Sequence, residues 1–272
     1  MDLSSYEAVR RTRVLAYGPP KSGKTSLVAQ LAKAGFTCHL LDLEHGVKTL
    51  MNPALLPVEF RKNVKFYNIP DTVANPIAIA TVRRLFKGGE QKMCYTHGAH
   101  ACGICTKDPK AVWSAPINLA TFGDKDILVV DSLTQLSESA YNYTTRNYRS
   151  KDDEYKGTFD DYRMQGAYMG EVLGRMQASD LNILVLSHEI DVEKDDKKEK
   201  IVPVGGTRNF SKTVAKYFDE IVYLSIVNKT HRLASGTTYS PTILTGGRSG
   251  VILEDSKEGK TIVDMFQGGT LK

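Results

Sequence analysis

No apolar stretch in the 272 residues approaches the roughly 20 needed to cross a bilayer, which excludes a helical membrane span. Met1 to Arg13 is polar and charged and lacks the apolar core of a secretory signal, so the expectation is a cytosolic protein. There is no internal repeat and no low-complexity linker, so one domain over residues 1–272 is the simplest count. Cysteine is scarce: of four, three fall within the 12 residues from Cys94 to Cys105. In a cytosolic chain, thiols clustered that tightly point to a metal rather than to disulfides. The remaining composition is ordinary for a globular protein, with 41% hydrophobic and 25% charged residues. A net charge of +5 permits a polyanionic partner without requiring one.

What is present begins with LAYGPPKSGKTSL, Leu15 to Leu27. Gly18, Pro19, Pro20, Lys21, Ser22, Gly23, Lys24 and Thr25 fit the phosphate-loop pattern G-x-x-x-x-G-K-[ST], with Ser26 next in the helix that opens at Lys24. Glycines let backbone N–H groups turn inward, and the helix start offers unpaired N–H groups to an anion. Lys24 would reach the β- and γ-phosphates of ATP, and the Thr25 hydroxyl would ligate Mg²⁺.

Strand-like runs at Arg13–Tyr17, Thr37–Leu43, Val64–Ile69, Ile127–Asp131, Asn182–Ser187 and Glu220–Val227 alternate with helical stretches. Lys24–Ala34 stops at Gly35, Asn75-Pro76 opens a helix closed by Gly88-Gly89, and Asp160–Ser179 carries apolar residues at helical spacing. The alternation predicts an α/β fold, a mostly parallel sheet flanked by helices. After Glu220 turns replace helices, which predicts antiparallel C-terminal strands.

The run ILVVDS ends a buried strand at Asp131, opposite Thr25 as a second Mg²⁺ holder. ATPases of the ring-remodelling type place a catalytic Glu directly after that Asp; here the position is Ser132. A water-activating carboxylate must therefore come from another strand, and CHLLDLEHG supplies Glu44, 20 residues after Lys24. A strand end beside the phosphate loop brings a general base within reach of the attacking water.

Phosphate loop, LLDLEHG, ILVVDSLTQL and ILVLSHE, in that order, resemble the RecA/RadA recombinase ATPase core, from about Arg13 to Asp255. The chain is most similar to the core-only RecA-like proteins of phages, which implies an ATP-dependent single-strand annealing or recombination protein. The resemblance makes Glu44 the catalytic glutamate, Asp131 the metal-site aspartate and His188 the polar sensor of the γ-phosphate. It implies a homo-oligomer, ring or filament, acting on single-stranded DNA in the cytoplasm, that of the host cell if phage-encoded. Two loops would touch the DNA: Tyr141–Phe159, which interleaves Tyr141, Tyr143, Tyr148 and Tyr155 with Arg146, Arg149 and Lys151, and Glu189–Phe210. Aromatic rings stack on any base while cations follow the backbone. In the second loop, Lys194, Lys197, Lys198 and Lys200 mix with acids as in a solvated hairpin tip, and Gly205-Gly206-Thr207-Arg208 is the better contact. Arg248 resembles the base that such assemblies insert at a neighbour's ATP, with Arg232 as the alternative.

CYTHGAHACGIC is not part of that pattern. Cys94-x₂-His97-x₄-Cys102-x₂-Cys105, with His100 as a spare, offers two knuckles of two ligands each in an insert at about 90–110, enough to close a structural tetrahedral Zn²⁺ site. Two other readings stand beside recombination: a nucleotide or small-substrate kinase with a zinc-bearing lid, although Lys92–Asp108 contains no arginine, and a helicase motor on the same core.

Overall fold

A computed structural model describes residues 11–100, 102–152, 154–194, 197–228, 230–236, 240–248, 251–253 and 261–267. Most of Met1–Arg13, and Asp255 at the far edge of the resemblance, lie outside the described residues. In chain order the first half contains β1 (Arg13–Gly18), α1 (Ser26–Lys33), β2 (Thr37–Asp42), β3 (Val64–Asn68), α2 (Ala78–Leu85) and β4 (Asp126–Asp131). The second half contains α3 (Leu133–Arg149), α4 (Phe159–Ala178), β5 (Asn182–Lys194), β6 (Lys197–Pro203) and α5 (Arg208–Ser211). Then follow β7 (Glu220–Val227), β8 (Thr230–Ala234), β9 (Gly246–Gly247) and α6 (Ile262–Phe266).

The sheet runs β3-β2-β4-β5-β1-β7-β8. Neighbours are parallel from β3 through β7; β8 and β9 pair antiparallel with β7, and β6 folds back antiparallel on β5. This is the expected α/β architecture with antiparallel C-terminal strands. Successive strand residues point to opposite faces, so Leu15 and Tyr17 enter one core while Val14 and Ala16 enter the other. Helices α2, α3 and α4 cover the first face with Val82, Leu136, Val172 and Leu173; α1 and α6 cover the second with Leu27, Leu31 and Met265. Each such side chain taken fully out of water contributes about 1.5–3 kcal/mol before entropy is counted. No helix among the described residues is long and apolar enough to cross a membrane.

Three expectations need correction. Tyr141–Phe159 is only in part a loop: α3 continues to Arg149 before the chain leaves it and enters α4 at Phe159, because Leu133, Leu136 and Ala140 are buried at helical spacing and Ser132 caps the start of α3 by accepting from the Gln135 amide at 3.3 Å. Pro76 is not the first helical residue, since α2 opens at Ala78 behind an Ile77 cap. The strand carrying Glu44 is not beside β1; β4 and β5 stand between them.

Candidate functional site

The phosphate loop closes β1, where Gly18 lies so near the Leu224 carbonyl that no side chain would fit. Gly23 has φ +94°, the left-handed region that glycine tolerates best. Lys24 is 8% exposed, and its Nζ donates to the carbonyls of Gly18 at 3.1 Å and Pro19 at 2.9 Å. Burial lowers its pKa, opposed by the charges of Glu44 and Asp131. The Ser22 hydroxyl is buried with no hydrogen-bond partner. A loop that curls a cation and a spare hydroxyl into one turn fits a phosphate group.

β4 delivers Asp131 opposite this turn, and the Thr25 hydroxyl donates to its Oδ2 at 3.0 Å. Burial, then the nearby Glu44 carboxylate, push the Asp131 carboxyl up to about 7. Crowded carboxylates beside a threonine hydroxyl are a hard-oxygen donor set that a divalent cation such as Mg²⁺ would neutralise. Asp42, at the end of β2 and level with Asp131, is occupied instead by the Gly46 and Val47 amides at 2.8 and 3.1 Å.

Glu44 reaches the pocket although its strand is not next to β1. β2 pairs with β4, the Leu43 amide donates to the Asp131 carbonyl at 2.7 Å, and Glu44 is the next residue. Its Oε1 accepts from the Ser132 hydroxyl and its Oε2 lies 3.3 Å from His188 Nε2. Desolvation raises the carboxyl, but the hydrogen bonds from His188 and Ser132 outweigh it and hold Glu44 below its ordinary value. It therefore stands ionised, the state a general base requires. His188 Nδ1 lies 3.5 Å from Lys24 Nζ, so one imidazole spans Glu44 and the phosphate-loop lysine. With Lys24 protonated, Nδ1 is the acceptor and Nε2 carries the proton that faces Glu44.

Lys24, Thr25, Glu44, Asp131 and His188 line one cavity of about 540 Å³. Two participants escaped sequence reasoning. Ser132, notable only for not being Glu, both caps α3 and donates to Glu44. His231 on β8 reaches back to the loop, with Nδ1 at 2.9 Å from the Ser22 carbonyl. A carbonyl only accepts, so this nitrogen carries the proton. No spacing rule links residues some 200 positions apart.

A second cavity, of about 830 Å³, opens between α3, α4 and the turn before α5, lined among others by Glu138, Tyr141, Tyr162, Gly206 and Arg208. Both predicted DNA segments meet here, in altered form. The tyrosines are engaged with one another: Tyr141 stacks on Tyr162 at 5.1 Å, Tyr148 on Tyr155 at 5.1 Å, and Tyr143 meets Tyr168 edge-on. Arg146 lies over Tyr143 and Arg149 over Tyr141. In the second segment β5 and β6 form the hairpin that was expected, and Lys200 is exposed. The side chains of Lys194, Lys197 and Lys198 lie outside the described residues. Arg208 is exposed at the start of α5. The Val204 amide donates to the His188 carbonyl at 2.9 Å, which ties this turn to the nucleotide pocket.

Arg248 is not brought to the pocket. It pairs with Asp219 at 3.4 Å, and Asp219 also pairs with Arg13, which opens β1 at the end away from the phosphate loop. Arg248 thus lies about 20 Å, one six-residue strand, from its own chain's nucleotide site.

In the insert, the ligand atoms of Cys94, His97, Cys102 and Cys105 all lie within 4.8 Å of one another, so the group could hold a metal ion. The amides of Cys105 and Ile104 point at the Cys102 sulfur and hold that thiol below its ordinary value. His100, the spare, is not part of this group.

A family model described as an AAA domain matches residues 10–252. No curated protein matches the sequence.

Proposed function

The chain belongs to the AAA-domain family, a family of P-loop NTPases, and on that premise we propose that it is an Mg²⁺-dependent ATPase that binds single-stranded DNA as a homo-oligomer in recombination or annealing. The hydrolytic part is carried by one observation: Lys24, Thr25, Asp131 and an ionised Glu44 share a cavity. Lys24 and the loop amides would bind the β- and γ-phosphates, and Thr25 with Asp131 would hold Mg²⁺, which would supply charge neutralisation at the transferred phosphoryl group. Glu44 takes the proton of the attacking water; Ser132 and His188 aim it.

The DNA part is supported by the join between His188 and the turn at Val204. A change of hydrogen bonding at His188 when the γ-phosphate arrives passes one bond onward to Gly205–Arg208, which lines the tyrosine cavity. The order of motifs resembles the recombinase core and favours the same reading. Arg248 cannot reach its own pocket, so a role at the phosphates requires a second copy.

Binding of a labelled single-stranded oligonucleotide, compared with ADP and with a non-hydrolysable ATP analogue, tests this reading. Affinity should be higher with the analogue and should fall steeply with salt. Tyr162→Ala should cost about 1–3 kcal/mol if that ring stacks on a base, and Arg208→Ala should lower the salt slope by about one. Absence of binding in both nucleotide states at low salt would overturn the DNA part and leave the ATPase standing.

A further inference from the structure

The cysteine insert has almost no core of its own. Its buried cluster consists of Cys94, Cys102 and Cys105, with Ala99, Ala111 and Trp113 partly buried against it. Isolated bridges, Met93 to His100 and Cys94 to Trp113, stand in place of strands. So few apolar contacts cannot offset the entropy of ordering some 20 residues at about 1–2 kcal/mol each. The thiols are free rather than bridged, and they converge with His97 on one point. His97 Nδ1 lies 3.2 Å from the Cys105 sulfur and 3.5 Å from that of Cys102. Bond lengths of about 2.0–2.3 Å in a tetrahedral zinc site place neighbouring ligand atoms about 3.5–3.8 Å apart, so the group needs only a small adjustment to close on the ion. Both knuckles are already turned, by Gly98 N to Cys94 O at 2.8 Å and Thr106 N to Cys102 O at 2.9 Å.

The first knuckle is seated on the sheet. Gly98 has φ +59°, and a Cβ there would lie 2.6 Å from Pro70 Cδ and 2.7 Å from Ile69 Cα, so the turn abuts the chain that leaves β3. Asn68 Nδ2 donates to the Tyr95 carbonyl at 3.1 Å, and Phe66 meets Tyr95 edge-on. From that contact the route to the catalytic base is short. The Ile69 amide donates to the Asp42 carbonyl at 3.0 Å, and Glu44 follows two residues later. Asp71 accepts from Ser139 at 2.8 Å and from Gln135 at 3.3 Å, both on α3, the helix that begins at Ser132.

The geometry points to a structural zinc ion, held by Cys94, His97, Cys102 and Cys105, that braces the exit of β3 and thereby the segment Leu43–Val47 that carries Glu44. The ion takes no part in the chemistry; four protein ligands leave it no open position. The brace acts first on the base: the phosphate loop lies on β1, three strands away from β2, and meets the braced segment only where Gly46 faces Asp131 and Thr25.

Metal analysis of protein purified without chelator tests the site, with about one zinc per chain expected and none in the Cys102→Ser, Cys105→Ser double variant. Protein devoid of metal, or holding iron, would overturn it. Hydrogen exchange on zinc-loaded, stripped and reloaded protein tests the brace without relying on hydrolysis. Stripping should speed exchange at residues 43–47 by at least about fivefold, leave β1 unchanged, and reverse on reloading. Equal exchange at 43–47 in the three forms would overturn the brace. Gly98→Ala should keep zinc but lower ATP turnover several-fold with analogue affinity retained. Gly103→Ala, in the second knuckle with open space around it, is the control that should match the parent chain. The turnover arm alone depends on the ATPase reading; an inactive parent chain would count against that reading and not against the zinc brace.

Discussion

In the nucleotide pocket, Lys24, Glu44, Asp131 and His188 come from β1, β2, β4 and β5 or the turns just after them, whereas in the insert all four candidate ligands lie between Cys94 and Cys105. The pocket inherits its geometry from strands buried on both faces, such as Val14–Tyr17 and Ile127–Val130. Its side chains are satisfied by one another: Thr25 by Asp131, Glu44 by Ser132 and His188. The insert has a compact ligand set on a backbone with little hydrophobic support. A site built on a sheet is pre-organised before its ligand arrives, while a site built in one loop depends on its ion for shape.

The largest effect expected is on the pocket side. Lys24→Ala should weaken ATP binding roughly 10²-fold or more, the scale of a lost buried charge contact, with calorimetry as the readout. The melting temperature should hardly move, because Lys24, though buried, bonds to carbonyls of its own loop and belongs to neither hydrophobic core. A large fall in melting temperature would break the comparison by showing that the loop holds the sheet together.

Glu44→Gln should lower turnover by about 10²-fold or more with analogue affinity retained, as for a lost general base. Unchanged turnover would move the base elsewhere.

Next in size is a dependence on pH. The Asp131 carboxyl, at about 7, is protonated below that value, and Mg²⁺ must displace the proton. Affinity for Mg²⁺-nucleotide should therefore fall by up to about tenfold per unit as pH drops below about 7, and level off above it. Asp131→Asn should abolish the dependence along with most of the affinity; the same slope in that variant would show that another group titrates.

The smallest effect sharpens the contrast from the other side. Removing metal from the insert should leave nucleotide affinity within about twofold of the untreated protein, because the phosphate loop does not touch the insert. A tenfold loss would show the two regions to be less separate than their construction implies.

These differences also explain what was legible in the sequence. The phosphate loop, Asp131 and the cysteine knuckles are contiguous motifs defined by local spacing, and their grouping in space follows the pattern directly. Glu44 was legible as an acid at a strand end, but its neighbour was misjudged, because strand order is set by crossovers that no local pattern records. Helix α3 was obscured by composition. TQLSESAYNYTTRNYR is rich in Ser, Thr, Asn and Tyr, all weak helix formers, and only the spacing of Leu133, Leu136 and Ala140 betrays the buried stripe. The tyrosines and arginines that looked available for bases are partly paired with one another. Ser132 and His231 could not be found, because their partners are distant in sequence and their residue types are common.

The coupling of ATP hydrolysis to single-stranded DNA is tested most directly by the rate of hydrolysis measured at low salt with and without the oligonucleotide, on the same preparation. Mg²⁺-dependent turnover that rises when the oligonucleotide is added is the predicted result, with the rise lost in Arg248→Ala if a second copy supplies that arginine. Turnover that is present but indifferent to single strands at every concentration would contradict the coupling between His188 and the tyrosine cavity.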